Sequence, residues 1–378
     1  MSVIEWSIVC VTYNINARKP ESDQIHELLQ HNTANDAVIV AVGLQELSHL
    51  ELFGTTPTET TWLSLLTSWM NAHGKSLLCK TSLAWNLLLI FARLEVFPLV
   101  DEINSRQSRS SLGGLTGYKG SVSLRIKFRD ESSLVFITSH LLPDANNYEK
   151  RCLQYKNGKV CAFDDIARSG NANNNVIWLG DFNWRVDQLT SQEMIVKLAE
   201  LNSNDHMDKL VGSSYYDQER VPSWCDRILY KGKSLRCERY ESNRMITLSD
   251  HFPVYAHFIL SEPVSRQHSR WKVRFEKIPH WYNIVPFTCQ FTYVDDFWSS
   301  DGSYRDWIAI YSADIPSSLQ PLTWLYVIAC YNVVIANRSV TIAEFPCLSA
   351  GHYRVGYFSA YKNCLQGLSD IFEVEFIK

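Results

Sequence analysis

Short apolar runs that end abruptly in a polar residue constrain the fold of this chain more than any other feature. Each run is rich in Val and Ile and too short for a helix, which is typical of a strand buried on both faces. Four such runs lie in the first half of the chain: residues 8–11 before Asn14, 38–44 before Glu46, 135–137 before His140 and 176–179 before Asp181. They predict a sheet with polar side chains at its strand ends.

Helical patterns lie between the predicted strands. Four apolar residues follow the i, i+3, i+4, i+7 spacing of an amphipathic helix: Trp62, Leu65, Leu66 and Trp69. A capping box that begins at Thr190 precedes a second apolar pattern. Strands alternating with helices predict a layered α/β fold, in which the strand ends are the usual place for functional groups.

The pattern of apolar and polar residues changes about two-thirds of the way along the sequence. With 378 residues, the chain can hold a large α/β domain and a smaller one. We place the first domain at residues 1–260, a polar linker at 261–270 and the second domain at 271–378. Short alternating runs in the second part, such as 307–311 and 353–357, predict an all-β, immunoglobulin-like sandwich.

Charge and cysteine usage exclude several classes of protein. The 36 Lys and Arg against 40 Asp and Glu give a formal net charge of −4, so no overall basic field favours nucleic acid. The ten cysteines include no CxxC pair and no Cys/His cluster at zinc-site spacing, and we expect them to be reduced in the cytoplasm. The start of the sequence shows no secretory pattern.

The most apolar segment, residues 83–100, is too polar for a membrane span. Asn86, Arg93 and Glu95 interrupt it, and each of them is costly at the centre of a bilayer. We therefore predict a buried pair of strands there.

Two motifs carry the chemistry. Residues 178–185 read Trp-Leu-Gly-Asp-Phe-Asn-Trp-Arg, and residues 221–229 read Val-Pro-Ser-Trp-Cys-Asp-Arg-Ile-Leu. In this order they resemble the paired signatures of the inositol polyphosphate 5-phosphatases, a branch of the fold shared with DNase I-like nucleases and sphingomyelinases. Shorter matches follow the family order at residues 12–14, 45–46, 117–120, 139–141 and 249–251.

Most of these residues have ordinary structural explanations when taken singly, but the ordered set of seven motifs does not. The resemblance covers roughly residues 5–260. It implies the layered α/β sandwich of the endonuclease/exonuclease/phosphatase fold, which is DNase I-like.

The resemblance also implies a Mg²⁺ cofactor, with Glu46 as its principal ligand and Asn14 assisting. Mg²⁺ prefers oxygen ligands and keeps several waters in its coordination shell. One carboxylate and one amide oxygen are therefore a reasonable number of ligands for the protein to supply. Hydrolysis of a phosphate monoester requires charge neutralisation and in-line positioning, both of which such a site supports.

By the same resemblance, Asp181 orients the attacking water and Asn183 donates to a phosphoryl oxygen. Side chains two residues apart in an extended segment point the same way, which predicts that these two act together. Asp226 is expected to hold His251 as a carboxylate–imidazole pair that stabilises the charged transition state. Either Asp181 or His251 takes the proton of the water.

Further site residues follow from the motifs. His140 and Lys119 are expected to contact phosphate, and Asp250 is expected to orient a catalytic side chain from behind. Arg185 and Arg227 lie inside the signatures and either bind substrate or act as structural ion-pair partners.

Two departures from the family pattern stand close to these residues. The segment between Asn183 and Pro222 is short, where the family has an insert that grips the phosphate beside the scissile one. Asp144 follows the 139–141 motif where the family commonly has a second histidine, which predicts weaker binding of an anionic substrate. Four residues of the short segment could replace the missing contacts: Lys209, Tyr215, Tyr216 and Arg220.

The second part of the chain resembles a SKICH domain. The matching segments are 271–276, 281–282, 306–311 and 351–357, with 367–372 as the closing strand. The resemblance implies recruitment to the plasma membrane or endoplasmic reticulum through a protein partner. The alternative is a sandwich that only stabilises its neighbour.

The sequence thus predicts a monomeric cytoplasmic phosphoinositide 5-phosphatase, a phosphoric monoester hydrolase that acts at membrane surfaces. We expect it to remove the 5-phosphate of phosphatidylinositol 4,5-bisphosphate, the 3,4,5-trisphosphate or both, with no nucleic-acid partner. Two alternatives remain: a weakly active or inactive scaffold that acts through its C-terminal domain, and a nuclease of the same fold.

Overall fold

The structure is a computed structural model that describes residues 5–30, 34–47, 58–111, 116–167, 174–185, 223–261, 270–295, 297–298 and 302–377. The capping box predicted at Thr190 lies outside these residues, as do Pro222 and the four candidate replacement residues between 209 and 220.

The first part of the chain consists of strands and a few helices. The strands are β1 Trp6–Asn14, β2 Ile39–Gln45, β3 Lys75–Leu83, β4 Asn86–Arg93, β5 Val100–Ser111, β6 Thr116–Phe128, β7 Ser133–His140, β8 Asn174–Asp181, β9 Asp226–Lys231, β10 Leu235–Ser242 and β11 Val254–Leu260. The α-helices are α1 Ser22–Gln30, α2 Thr58–Ala72, α3 Tyr148–Gly158 and α4 Asp164–Ala167.

These strands form two sheets that face each other. One has the order β10-β11-β1-β2-β4-β3 and the other the order β5-β6-β7-β8-β9. All seven residues of β2 and all eight of β7 are buried, as the apolar runs predicted. Each fully buried Val, Ile or Leu contributes roughly 1.5–3 kcal/mol relative to an exposed one, so the sheets are held together mainly by these runs.

Helices cover the outer faces of both sheets. Ile25 of α1 and Trp62 of α2 pack on the first sheet in one apolar cluster with Val9 and Val11. Tyr155 of α3 packs on the second sheet, with its ring stacked on Trp178 at 4.7 Å between centroids. The result is a four-layer α/β sandwich, which confirms the predicted fold class and the helix predicted around Trp62.

The prediction for residues 83–100 was wrong in detail. This segment contains a single strand, β4, followed by a 3₁₀ helix at Leu94–Leu99 that includes Pro98. The partner of β4 in the hairpin is β3, which ends at Leu83. Proline has no N–H for a ladder, and this explains why the second half of the segment leaves the sheet.

The second part of the chain is all β, as predicted. Its strands are β12 Val273–Phe275, β13 Trp281–Tyr282, β14 Pro286–Tyr293, β15 Trp307–Ser312, β16 Thr323–Tyr326, β17 Tyr331–Ile335, β18 Arg338–Cys347, β19 Gly351–Ser359, β20 Cys364–Leu368 and β21 Phe372–Glu375. They form sheets of order β12-β14-β18-β17 and β13-β21-β19-β15-β16, with β20 also paired to β19. The closing strand predicted at 367–372 is instead the junction between β20 and β21.

The two parts pack against each other directly. Ser318 donates its backbone N–H to Leu77 O at 3.0 Å, and Leu77 donates to Pro316 O at 2.9 Å. Lys362 Nζ lies 2.8 Å from Asp101 Oδ1, and Gln366 Nε2 donates to Asp101 O at 3.0 Å. Apolar residues of the sandwich, including Tyr311 and Phe358, join the cluster between the two N-terminal sheets.

Candidate active site

The ends of strands from both sheets meet at one edge of the α/β sandwich. His140 ends β7 and lies beside Asp181, which ends the parallel strand β8. Asn14 ends β1 beside Gln45 at the end of the parallel strand β2. A buried amide joins the sheets just below, because Gln45 Nε2 donates to Thr138 Oγ1 at 3.0 Å. The polar strand ends that the sequence singled out therefore share one cleft.

Two glycines let the backbones approach closely under this cleft. Gly43 faces the other sheet, and a Cβ at this position would lie 2.6 Å from Leu179 Cδ1. Gly180 has φ +141° directly before Asp181, and a Cβ there would lie 2.1 Å from Ser139 O. Only glycine fits both demands, which is the physical reason for glycine in the motif before Asp181.

Asn14 lies between two carboxylates. Its Nδ2 donates to Glu46 Oε1 and to Asp181 Oδ2, both at 3.1 Å, while its Oδ1 accepts the N–H of Asn16. Glu46 follows β2 with φ 61°, a left-handed conformation that turns the chain out of the sheet and into the cleft. The amide of Asn14 thus holds together two acids that would otherwise repel each other.

His140 is fully enclosed and contacts the same two acids. Its Nε2 lies 3.5 Å from Glu46 Oε1 and 3.4 Å from Asp181 Oδ2. Burial, reinforced by the charge of Lys119, lowers the pKa of His140 to about 3, so the imidazole is neutral at pH 7. Lys119 Nζ contacts the His140 ring, at 3.3 Å from Nδ1. Burial lowers the pKa of Lys119 as well.

Asp181 and Asn183 meet, but not through strand alternation. Asn183 has φ 52°, so the extended geometry predicted for this pair was wrong. Its side chain turns back so that Nδ2 donates to Asp181 Oδ2 at 3.1 Å and to Leu141 O at 3.0 Å. Arg185 Nη2 donates to Asn183 Oδ1 at 2.7 Å. A left-handed turn therefore achieves the convergence that the motif predicted.

Asp181 is held in its charged form. Burial favours the neutral acid, but the charge of His251 and the Asn14 hydrogen bond outweigh burial and lower the pKa of Asp181. The carboxylate also accepts the backbone N–H of Asn183 at 2.9 Å. Asp181 is thus an ionised, firmly oriented hydrogen-bond acceptor at neutral pH.

Asp226 and His251 form the predicted pair. Asp226 starts β9, directly opposite Asp181 in the antiparallel register, and its Oδ2 lies 2.6 Å from His251 Nδ1. Burial opposes a charged imidazole, but the charge and hydrogen bond of Asp226 outweigh it and raise the pKa of His251 to about 10. His251 is therefore a cation at pH 7, with its Nε2 edge available for an anion.

The other predicted residues lie around this centre. Asp250 is exposed and accepts a hydrogen bond from Ser249 Oγ at 3.2 Å, so it acts on His251 through its charge. Arg227 donates from Nε to Trp224 O at 2.9 Å. Arg185 donates a hydrogen bond to Asn183 and is thereby attached to the turn that follows Asp181.

A buried arginine that the sequence analysis missed shapes the loop after β7. Arg151 of α3 is 1% exposed, and its Nη1 donates to Leu142 O at 3.3 Å, to Pro143 O at 3.4 Å and to Asp144 O. Gln154, one turn along the same helix, accepts the N–H of Leu142 at 2.9 Å. The spacing of Arg151 and Gln154 by three residues was the available signal, since it puts both on one helix face.

The donor set fits a hard divalent cation near Glu46. The Glu46 side chain is 32% exposed whereas Asp181 is 2% exposed, so Glu46 offers an accessible oxygen at the mouth of the cleft. Asp226 Oδ1 is buried and, among the described residues, has no hydrogen-bond partner. Asp226 also lies near Asp181, and an unsatisfied carboxylate oxygen close to a second acid favours a cation or ordered water beside it. Ligation by Asn14 requires its amide to turn Oδ1 toward Glu46.

Comparison with solved structures gives a match to the same fold with a ligand. The inositol polyphosphate 5-phosphatase domain of SPsynaptojanin, in complex with inositol (1,4)-bisphosphate and calcium ion, is 26% identical to this chain. The match has a TM-score of 0.54 and covers 70% of this chain and 88% of that one.

Two curated relatives illustrate the sequence matches. Inositol-1,4,5-trisphosphate 5-phosphatase 1 of Schizosaccharomyces pombe is 28% identical over an alignment of 312 positions, gaps included, that covers 72% of this chain and 28% of that protein. Phosphatidylinositol 4,5-bisphosphate 5-phosphatase A of Mus musculus is 24% identical over an alignment of 430 positions, gaps included, that covers 97% of this chain and 41% of that protein. The chain thus spans less than half the length of these relatives.

Family models account for most of the chain. The model for Endonuclease/Exonuclease/phosphatase family 2 matches residues 11–214 and 208–257, and the SKICH domain model matches residues 273–374. The first match covers more than half of the chain and includes every strand end that forms the cleft. The chain therefore belongs to the Endonuclease/Exonuclease/phosphatase family 2 and carries a SKICH domain C-terminal to that match.

Proposed function

We propose that this chain is a Mg²⁺-dependent phosphoinositide 5-phosphatase. One observation carries the proposal: Asp181, Asn183 and His140 meet the Asp226–His251 pair at one edge of two facing sheets, with Glu46 and Asn14 on the opposite wall. The cleft combines acids for a cation and a water with positive groups for an anion. That combination suits hydrolysis of a phosphate monoester.

The proposed roles follow from the charges. Mg²⁺ bound by Glu46 and Asn14 would neutralise the phosphoryl group and place it for in-line attack. His251 is already protonated at pH 7 and cannot take a proton from water, which leaves the Asp181 carboxylate to orient and deprotonate it. As the water oxygen bonds to phosphorus, the bond from phosphorus to the inositol oxygen breaks. The leaving oxygen takes up a proton and departs as the alcohol, and Asp181 releases the proton of the water to solvent.

The remaining groups stabilise charge on the phosphoryl oxygens. His251 offers a cationic N–H, and Asn183 is held beside Asp181 by Leu141 O and Arg185. Lys119 is placed against His140, so both are proposed to contact phosphate from the β6–β7 side. Arg185 and Arg227 are proposed substrate contacts, with Asp250 orienting His251 from behind.

The substrate proposal is phosphatidylinositol 4,5-bisphosphate, the 3,4,5-trisphosphate or both. It rests on the names of the relatives, which include a phosphatidylinositol 4,5-bisphosphate 5-phosphatase aligned over 97% of this chain. Such a reaction takes place at a membrane surface. Within the described residues, none of the helices is long and apolar enough to cross a bilayer.

The proposed organisation is a catalytic domain at 1–260, a linker at 261–270 and a SKICH domain at 271–378. We propose a monomeric, cytoplasmic protein that the SKICH domain recruits to the plasma membrane or endoplasmic reticulum by binding a protein partner. β11 ends at Leu260 and β12 begins at Val273, which supports a boundary between them.

The test is Mg²⁺-dependent phosphate release from vesicles containing phosphatidylinositol 4,5-bisphosphate. Wild type is compared with Asp181→Asn and with Asp295→Asn, an exposed carboxylate of the SKICH domain. We expect turnover in wild type and Asp295→Asn, and loss of at least about 100-fold in Asp181→Asn or with EDTA.

Two outcomes contradict the proposal. A folded wild-type chain without turnover favours the scaffold alternative. The short segment between Asn183 and Pro222 would then be the first feature to test as the cause of the lost activity. Nicking of plasmid DNA that depends on Asp181, with no phosphate release, favours the nuclease.

A further inference from the structure

The SKICH domain holds a second cluster of potential metal ligands. Among the described residues, two groups of His, Asp and Glu have ligand atoms within 4.8 Å of one another. The first is Asp181, Asp226 and His251 of the cleft. The second is His280, Glu373 and Glu375, which are all exposed and all lie in the second part of the chain. No part of the proposed phosphatase mechanism uses it.

The strand register brings a fourth residue into this cluster. β13 runs parallel to β21 with Trp281 opposite Val374, so His280 comes beside Glu373. β19 runs antiparallel to β21 with His352 opposite Glu373. Phe372 and Val374 of β21 are buried, and hence Glu373 and Glu375 share the exposed face. The four polar side chains therefore lie together over three neighbouring strands.

The distances leave Glu373 between two imidazoles without a hydrogen bond to either. Glu373 Oε2 lies 4.0 Å from His280 Nδ1, and Glu373 Oε1 lies 4.0 Å from His352 Nε2. Glu375 Oε1 lies 2.9 Å from His280 Nε2. Zinc binds His nitrogen and carboxylate oxygen at about 2.0–2.2 Å, so two atoms on one zinc lie no more than about 4 Å apart. Rotation of exposed side chains is enough to close such a shell.

We propose that His280, His352, Glu373 and Glu375 form a Zn²⁺ site on the exposed face of the SKICH domain. Two imidazoles and two carboxylates are borderline nitrogen and hard oxygen donors, a set that suits zinc better than the all-oxygen sites of Mg²⁺ or Ca²⁺. The two carboxylates balance the charge of the ion. Because all four side chains are exposed, ligation requires little desolvation.

A bound ion would stabilise the pairing of β13, a very short strand of the sandwich. β13 has two residues and pairs only with β21 among the described strands. Zinc held by His280 and by the two acids links the segment before β13 to β21, and His352 extends the link to β19. Since the ion binds the folded domain, it stabilises the fold by mass action.

The test uses the full chain, stripped with EDTA and titrated with ZnCl₂ against a chromophoric zinc chelator. We expect His280→Asn and Glu373→Gln to bind one zinc fewer than wild type, or to bind it at least about tenfold more weakly. Glu344→Gln, an exposed acid on the other sheet, is the matched control and should bind like wild type. Zinc at about 100 times its Kd should raise the Tm of wild type by about 5 °C.

Counting ions separates this site from the cleft. If wild type and both variants bind the same number of zinc ions with the same affinity, the ion lies elsewhere and the proposal fails. It also fails if wild type binds no zinc below about 100 μM. Near-UV circular dichroism checks folding, and His352→Asn, whose side chain is the most exposed of the four, gives a variant with little risk to the fold. Phosphatase activity plays no part in this test.

Discussion

His251 Nδ1 lies 2.6 Å from Asp226 Oδ2, although the two residues are 25 positions apart in the chain. The pair joins the loop before β11 to the start of β9, and therefore to the strand that lies against Asp181. Tyr13 supports the same loop, because its hydroxyl accepts the N–H of Ser249 at 3.1 Å. The cationic side of the cleft thus depends on contacts between distant strands.

The His251–Asp226 pair predicts a pH-dependent stability. The pKa of His251 is raised to about 10 in the folded chain, against about 6.5 when unfolded. Its stabilising contribution is therefore complete below pH 6.5 and is lost as pH rises toward 10. The free energy of unfolding of wild type minus that of His251→Gln should fall by about 1.4 kcal/mol per pH unit at most between pH 7 and 10.

Urea unfolding at several pH values measures this difference. The control is His257→Gln, because burial lowers the pKa of His257 and so favours its neutral form across this pH range. A wild-type advantage over His251→Gln that stays constant from pH 7 to 10 would contradict the assigned ion pair.

Replacing Asp144 with Asn should strengthen substrate binding. Asp144 is exposed at the turn after β7, has φ 73°, and its charge acts on Lys119. Removing a negative charge near a bound phosphate is worth about 1 kcal/mol in a partly solvated cleft, or roughly a fivefold lower KM. Steady-state kinetics at low and high salt test this, and the gain should shrink as salt screens the charge.

Asn has nearly the same size and shape as Asp, so Asp144→Asn removes the charge with little change to a turn that has φ 73° and ψ 142°. Glu149→Gln, an exposed acid in the first turn of α3, serves as the matched control. An unchanged KM in Asp144→Asn would place this carboxylate away from the bound phosphate.

Replacing Arg151 with Met should lower both stability and turnover. Its guanidinium satisfies carbonyl groups of residues 142–144, and the same loop presents Leu141 O to Asn183. Loss of a buried charged donor costs about 2 kcal/mol or more in unfolding free energy. We expect kcat to fall about tenfold as Asn183 loses its orientation, with partial rescue by Arg151→Lys.

The neighbouring exposed Lys150 provides the control, because Lys150→Met removes the same charge from the same helix without touching the loop. Thermal melts and steady-state kinetics are measured on all variants. A drop in Tm without any change in kcat would show that Arg151 stabilises the fold but does not position Asn183.

Replacing Asp101 with Ala should weaken the attachment of the SKICH domain. Asp101 lies 2.8 Å from Lys362 Nζ and 3.6 Å from Arg129 Nη1, and its side chain is 20% exposed. Because Arg129 is 7% exposed, it keeps a poorly solvated charge when Asp101 is removed. We expect a loss of about 2 kcal/mol in urea unfolding and a broader transition.

The neighbouring acid Glu102 provides the control, since it bonds Asn104 within its own strand. If Asp101→Ala and Glu102→Gln unfold at the same urea concentration as wild type, the contact between the two parts depends on apolar packing alone.

The sequence by itself determined the layered α/β fold and picked out the candidate site residues that the structure brings together. A short run of Val and Ile is stable only when it is buried, whatever surrounds it in the sequence. The strands β1, β2, β7 and β8 could therefore be predicted from the composition and length of their runs. Each run ended in the residue that the structure brings into the cleft. The resemblance in the second signature and in the 249–251 motif supplied the pair Asp226 and His251, which no local pattern connects.

Only the tertiary structure decided how these side chains meet. Asn183 reaches Asp181 through a left-handed turn, and a 3₁₀ helix that contains Pro98 stands where a second strand was expected. Arg151 fixes a loop seven to nine residues before it. Of the proposed zinc ligands, Glu373 and Glu375 are two residues apart on one strand, but no local spacing links them to His280 or His352. Their proximity depends on the register between strands, which long-range packing sets and a local pattern cannot contain.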